Sequence, residues 1–281
     1  MQRSKVWFIT GASSGLGYEF TKAALENGDR VVGVARSIKN LDDLQEKYPE
    51  SLWTIGADVT NKQAVETTVK MAADYFGRID IVVNCAGRLI LGMVEEFSEE
   101  DVRKIMDVNF YGALFVTQAV LPILRAQESG HIIQISSIGA LITGPMSGIY
   151  SASKCALEGF SEALAQEVKD FGINVTMVEP GGYWTRLYLD METSKSNPAY
   201  DDLKAKFADA ESVDSDPKLA ADAIMKLVAM KNPPLRLILG KTVYEYAKEN
   251  AKSQLDEWEK NKEITFAAEK ATPPPAGYGE S

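Results

Sequence analysis

Directly after the apolar stretch Val6-Trp-Phe-Ile9 the chain runs Thr10-Gly-Ala-Ser-Ser-Gly-Leu-Gly17, and few folds can use that order. The apolar stretch is too short for a core helix and reads as a strand. Leu16, Phe20, Ala23 or Ala24, and Leu25 then recur at helical spacing. A helix therefore starts near Gly15, and its free N–H groups and positive dipole end face back over the glycine turn, where a pyrophosphate is favoured. Gly11 allows a sharp turn, Gly15 lets backbone approach phosphate, and Gly17 lets the helix lie close on the strand. The spacing G-x-x-x-G-x-G marks one of the longer dinucleotide-binding loops, with Ser13, Ser14 and Leu16 between the glycines.

The same letters, Gly11-Ala-Ser-Ser-Gly15, also fit the G-x-S-x-G elbow of an α/β-hydrolase with Ser13 as nucleophile. That chemistry needs a histidine, and the chain has one, His131, at the mouth of the apolar run Ile132-Ile-Gln-Ile135. A structural role at a strand edge suits it better. An elbow on the first strand would also lack an earlier strand to supply an oxyanion loop.

Apolar strand-like runs recur at residues 6–9, 31–34, 52–55, 79–83, 132–135, 173–178 and 235–239, separated by helix-length segments. This alternation predicts an α/β fold, a Rossmann-type doubly wound parallel sheet flanked by helices. With 281 residues and no Pro/Gly/Ser-rich linker before the end, we expect a single domain over residues 1–265. Gly11, Ala35, Asp58, Asn84, Ser137 and Pro180 each fall just past a strand end, where a ligand of such a sheet binds.

Two long helices are expected, one marked by Val102 through Leu124 and another from about Tyr150 to Phe171. A lid at about 183–215 follows. A C-terminal amphipathic helix at about 241–262, striped by Val243, Ala247, Ala251, Leu255 and Trp258, is expected to pack on its own domain. The proline-led tail, 266–281, is expected to be disordered.

The net charge of −10 argues against a nucleic-acid partner. Two cysteines, Cys85 and Cys155, give neither a disulfide framework nor a four-ligand zinc site, so we expect no metal and a reducing cytoplasm. The N-terminal apolar patch ends too soon for a signal peptide, and no apolar stretch approaches the roughly 20 residues that span a bilayer. We expect no membrane partner.

Tyr150-Ser-Ala-Ser-Lys154 places a tyrosine and a lysine one helical turn apart on one face. A nearby ammonium favours phenolate and lowers a pKa that starts near ~10, which would make the phenol usable as acid or base. Thirteen residues before Tyr150, Ser137 stands at a strand end where its hydroxyl can bind a carbonyl oxygen.

With these pieces, Asp58 in Ala57-Asp-Val-Thr60, Asn84-Cys-Ala-Gly87, Asn109 in Asp107-Val-Asn-Phe-Tyr-Gly112, and Pro180-Gly181 followed by Thr185, the chain resembles the short-chain dehydrogenase/reductase family over residues 5–240. The resemblance implies that Ser137 and Tyr150 hold a carbonyl oxygen and that Tyr150 gives the proton. Lys154 would hold the nicotinamide ribose, and Asn109 would anchor a water linking Lys154 to solvent.

It further implies that Asp58 with Val59 meets the adenine, and that Asn84, Ala86 and Gly87 pack beside the adenosine. Thr185, with Tyr183 backbone, would bind the carboxamide. Cys85 departs from the family's usual Asn-Asn-Ala-Gly and would leave a free thiol near the cofactor, while Ser136 would be structural. Arg36 after neutral Ala35 suits a 2′-phosphate, which points to NADP(H), with NAD(H) as the alternative.

Leu89, Met93, Met146, Trp184 and Leu187 are expected to line a pocket for a small hydrophobic carbonyl or alcohol. Such an enzyme would be a homodimer or homotetramer. The other class to weigh is a catalytically silent nucleotide sensor, which would typically have lost the Tyr/Lys pair.

Overall fold

The computed structural model describes residues 3–208 and 213–272. Its first half contains β1 (Val6–Thr10), α1 (Gly15–Glu26), β2 (Arg30–Ala35), α2 (Asp42–Lys47), β3 (Leu52–Gly56), α3 (Lys62–Phe76), β4 (Ile81–Asn84), β5 (Ile90–Leu91), α4 (Glu99–Met106) and α5 (Ala113–Gln127). Then follow β6 (Gly130–Ile135), α6 (Gly148–Glu167), β7 (Ile173–Pro180), α7 (Arg186–Leu189), β8 (Glu192–Thr193), α8 (Asp201–Ala208), α9 (Pro217–Ala229), β9 (Arg236–Leu239), α10 (Lys241–Lys260) and α11 (Lys262–Ala267).

Seven strands form one sheet in the order β3-β2-β1-β4-β6-β7-β9 with every neighbour parallel. The order reverses direction between β1 and β4, so the crevice for a ligand opens beyond their carboxyl ends. Side chains alternate between the two faces, as a pleated strand requires. Trp7 and Ile9 pack with Phe20, Ala24, Ile224 and Leu227 on one side. Phe8 packs with Val65, Val69, Val116, Val120 and Leu124 on the other. Both faces are therefore dry, which is why these strands are nearly all apolar.

His131 takes the structural role expected of it. It is buried, hydrogen-bonds the Thr176 hydroxyl at 2.9 Å, and burial lowers its pKa to about 4, so the ring is neutral at pH 7.

Several expectations need correction. The first long helix is continuous over Glu99–Gln127, but a π-helical turn, Asp107–Gly112, joins α4 to α5. An 18-residue window of this 29-residue helix has mean hydropathy 1.3, long and apolar enough by length and composition alone to cross a bilayer, a test that the core helix of a soluble protein also passes. Ile105, Val116, Val120 and Leu124 of this helix are buried in the fold. The second long helix ends at Glu167, with a separate turn over Lys169–Phe171.

The C-terminal helix packs on the domain only at its base. Ala247 is buried and the Asn250 amide donates to the Leu141 carbonyl at 2.8 Å, whereas Leu255, Trp258, Ile264 and Phe266 are exposed. Helix α11 also carries regular structure through Ala267, past the start expected for the tail, and residues 273–281 lie outside the described residues.

The lid is tied down at several points. Strand β8 pairs with β5, Tyr183 bridges to Ser215, and Glu192 forms an ion pair with Arg88. The buried Glu96 carboxylate receives the Lys204 ammonium and the Met93 and Asn197 N–H groups, which together hold its pKa down to about 2.

Candidate active site

At the switch point lies a cavity of about 880 Å³. Its floor is the glycine corner. Gly11 and Gly15 have φ of +67° and +54°, the left-handed region that favours glycine. A side chain on Gly11 would meet the Ala86 backbone at 2.9 Å, and one on Gly17 would meet the Gly11 carbonyl oxygen at 2.3 Å. Gly17 therefore lets α1 close on the turn itself. Ser14 at the N-cap spends no side-chain hydrogen bond on the helix start, so the first turn keeps N–H groups for an anion. The Thr10 hydroxyl accepts the Cys85 and Ala86 N–H groups at 3.1 and 3.2 Å, fixing the end of β4 against the end of β1.

Most residues expected to hold a dinucleotide line this cavity. They are Gly11, Ser13, Ser14, Gly15, Leu16, Arg36, Asp58, Val59, Ala86, Gly87, Tyr150, Lys154, Pro180, Gly181, Tyr183 and Thr185. Gly17 lies beneath it. Asn84 does not reach it: its amide is buried and donates to Gln134 Oε1 (2.9 Å), Thr117 Oγ1 (3.2 Å) and the Ala113 carbonyl (3.3 Å). It steadies the strand end from beneath, while Ala86 and Gly87 form the lining there. Asp58 turns its Oδ1 to the Thr60 N–H and hydroxyl, which shapes the loop where Ala57 and Val59 also face the cavity.

Ser37 and Asn40 extend the lining beyond Arg36, with the Asn40 amide donating to the Ser13 carbonyl at 3.2 Å. Sequence reasoning missed them because that bond spans two loops with no motif of their own.

At the other end stand Ser137, Tyr150 and Lys154. Ser137 caps a short turn, accepting the Gly139 N–H at 3.0 Å, and lines the cavity beside Tyr150. The Lys154 ammonium is buried and donates to the Ile135 carbonyl at 2.8 Å, lying 5.8 Å from the centre of the Tyr150 ring.

The expected lowering of the phenol's pKa is not seen. Burial pushes Tyr150 up to about 12, only partly opposed by the neighbouring Ser137 hydroxyl, and burial lowers Lys154 to about 8. At neutral pH the buried phenol therefore keeps its proton. Cys85 lines the cavity as foreseen, but burial pushes its thiol up to about 12 against the pull of Lys154 and the Gly17 N–H. It is a protonated, weakly nucleophilic thiol.

Asn109 sits in the π-helical turn, fully buried and off the cavity. Its amide donates to the Arg88 carbonyl and the Ser153 hydroxyl, both at 3.0 Å, while its Oδ1 accepts the Arg88 N–H at 2.8 Å. That side chain clamps the loop after Gly87, and its Oδ1 and the Lys154 ammonium both face the Cα of Gly87, which lines the cavity. Next to Asn109, Val108 lines the cavity itself.

Of the expected substrate residues, Leu89 and Leu187 line the cavity, joined by Tyr188. Met93 is buried beside Glu96, Met146 turns through φ +68° with its carbonyl accepting the Gly92 N–H, and Trp184 is 67% exposed. None of these three reaches the lining. The rim carries two ion pairs, Arg88 with Glu192 and Arg186 with Asp190, which the apolar content of the lid sequence did not reveal.

The short chain dehydrogenase family model matches residues 5–196, and the chain belongs to that family. It is 39% identical over 272 residues to oxidoreductase BOA17 of Botryotinia fuckeliana (strain B05.10), covering 94% of this chain and 99% of that protein. A short-chain dehydrogenase structure from Streptomyces avermitilis aligns with a TM-score of 0.89 at 34% identity, over 95% of this chain and 100% of the other. The closed form of a serine dehydrogenase complexed with NADP+ aligns at 0.73 and 26% identity, over 83% and 94%. The protein is accordingly an NAD(P)-dependent oxidoreductase, and the glycine cradle fits the pyrophosphate of such a cofactor.

Gly17→Ala tests the corner. The added methyl group would strike a backbone oxygen that has no room to yield, so NADPH affinity measured by fluorescence titration should fall at least ~10-fold, the equivalent of about 1.4 kcal/mol. Unchanged affinity would show that the tight closure is dispensable.

Proposed function

We propose that this protein reduces a hydrophobic ketone or aldehyde to the alcohol, or runs the reverse reaction, with NADP(H). The observation that supports this most is the meeting of Ser137, Tyr150 and Lys154 in the same cavity as the glycine corner. A nicotinamide dinucleotide, when bound, supplies or accepts the hydride.

The chain's own residues handle the proton and the geometry. Ser137 and Tyr150 present two hydroxyls to one carbonyl oxygen. Tyr150 is protonated at neutral pH, the state needed to give its proton to the oxygen as negative charge develops there. Lys154, held against Ile135, supplies the positive potential that stabilises the phenolate left behind. Leu89, Leu187 and Tyr188 give the substrate end its apolar surface, which favours a hydrophobic carbon skeleton.

Arg36 stands exposed at the end of β2 and lines the cavity, an arrangement that suits a 2′-phosphate. We also read the assembly as a homodimer or homotetramer through α4–α5 and α6. Tyr111, Ala152 and Gly159 are exposed on these helices, and closed twofold symmetry is the commonest arrangement for such contacts. Light scattering measures that assembly directly.

Tyr150→Phe removes the transferable proton and keeps the ring. Turnover should fall at least ~100-fold while NADPH binding stays within about twofold of the parent. Near-normal turnover would refute the proton-donor role.

Arg36→Asp should move preference from NADPH toward NADH, since losing a charge-assisted contact costs on the order of 1.5 to 3 kcal/mol. Parallel kinetics with the two cofactors check it. A parent enzyme that already prefers NADH would refute the cofactor assignment.

A further inference from the structure

Tyr150 and Lys154 are the first two members of a longer row. Positions 150, 154, 158 and 162 of α6 follow one another at single-turn spacing and read Tyr, Lys, Glu, Glu. The end of β6 grips the row with two consecutive residues. The Ile135 carbonyl accepts from Lys154 at 2.8 Å, and the Ser136 hydroxyl donates to Glu158 Oε1 at 2.6 Å. Glu158 is 5% exposed, and a carboxylate that deep is not a solvated surface charge.

We propose that Glu158 is a positioning residue of the site, the counter-charge that keeps the buried Lys154 cationic, held in place by Arg236 from the edge strand β9. The proposal rests on the catalytic reading of Tyr150 and Lys154 given above.

Charge bookkeeping around Glu158 supports it. Arg236 reaches three carboxylates at once: Glu158, Glu179 of β7 at 2.5 Å, and Glu162 at 2.6 Å. One guanidinium cannot neutralise three. Glu179 is fully buried, burial pushes its carboxyl up, and its Oε2 has no hydrogen-bond partner. Glu162 is half exposed, so Glu158, one turn from Lys154 and buried with it, is the row's carboxylate that faces the lysine from within the fold.

The titratable groups acting on Lys154 are Cys85 from the loop after β4 and Tyr150 and Glu158 from α6 itself. Those facing Glu158 are Lys154, Cys155, Glu162, Glu179 and Arg236. Cys85 is a neutral thiol and Tyr150 a neutral phenol at pH 7, and Glu158 is the acidic side chain that lies one helical turn from Lys154 and is buried with it.

Glu158→Gln separates charge from architecture, because the amide oxygen can still accept from Ser136 and the shape is kept. The direct readout is the titration of the Lys154 side chain by NMR in dinucleotide-free protein with labelled lysine, its signal assigned with Lys154→Arg. Without the carboxylate the ammonium is less favoured, so the Lys154 midpoint should fall by about one pH unit. The alkaline limb of kcat/KM with NADPH should move down by the same amount, while rates near pH 6.5 change less than twofold. Glu158→Asp, which keeps the charge and loses reach, should leave the midpoint near that of the parent and lower kcat.

A Lys154 midpoint unmoved in Glu158→Gln overturns the proposal. So does failure of that variant to fold, since it would make the carboxylate architectural. If Tyr150→Phe is inactive while the lysine midpoint does not move, the Glu158 assignment alone falls. If Tyr150→Phe stays active, the catalytic reading falls, and the lysine titration still reports on Glu158.

Discussion

A lysine ammonium buried to 5% exposure is among the hardest groups in this fold to accommodate, and much of the surrounding architecture serves to hold it. Its hydrogen bond to the Ile135 carbonyl uses an acceptor that the end of β6 leaves free, just where the sheet stops and the cavity begins. Residues 135 and 136 and the row on α6 bind each other in register, so the helix cannot slide or turn without breaking two buried hydrogen bonds together. The catalytic geometry thus comes from one strand end and one helix face, both rigid elements, rather than from a loop.

The cofactor half of the cavity follows a different logic. There the chain supplies backbone and empty space: the glycines of the corner, an uncapped helix start, and Thr10 tying two strand ends together. Between the halves, Asn109 clamps the loop that follows Gly87. The π-helical turn brings that side chain to the Arg88 backbone while Ile105 and Val116, on either side, stay in the core.

What the sequence made legible was what depends on local pattern. The strand-turn-helix corner, the parallel sheet with its ligand edge, and the Tyr150 and Lys154 face all follow from spacing of two, four or a few residues, and the structure keeps them. Asn84 and Asn109 read as ligand residues because their motif is recognisable, yet each spends its amide on partners 21 to 50 residues away. The row beyond Lys154 was invisible for the same reason, since Glu158 acquires meaning only when β9 brings Arg236 across the sheet edge. The stripe on α10 declared an apolar face but not what covers it, and the structure leaves Leu255 and Trp258 open. The protonation of Tyr150 is not legible in the sequence, because proximity to a lysine is a sequence property, whereas desolvation of the phenol is a property of the packed site.

Hydride transfer to a carbonyl in this cavity is the reaction on which every residue role above depends. The most direct measurement incubates the purified protein with NADPH deuterated at nicotinamide C4 and a panel of hydrophobic ketones, then locates the label by mass spectrometry. The account predicts loss of the nicotinamide absorbance together with deuterium on the carbinol carbon of at least one product, and slower reaction with NADH. Tight binding of NADPH with no labelled alcohol from any ketone, and no oxidation of the matching alcohols with NADP+, would contradict it.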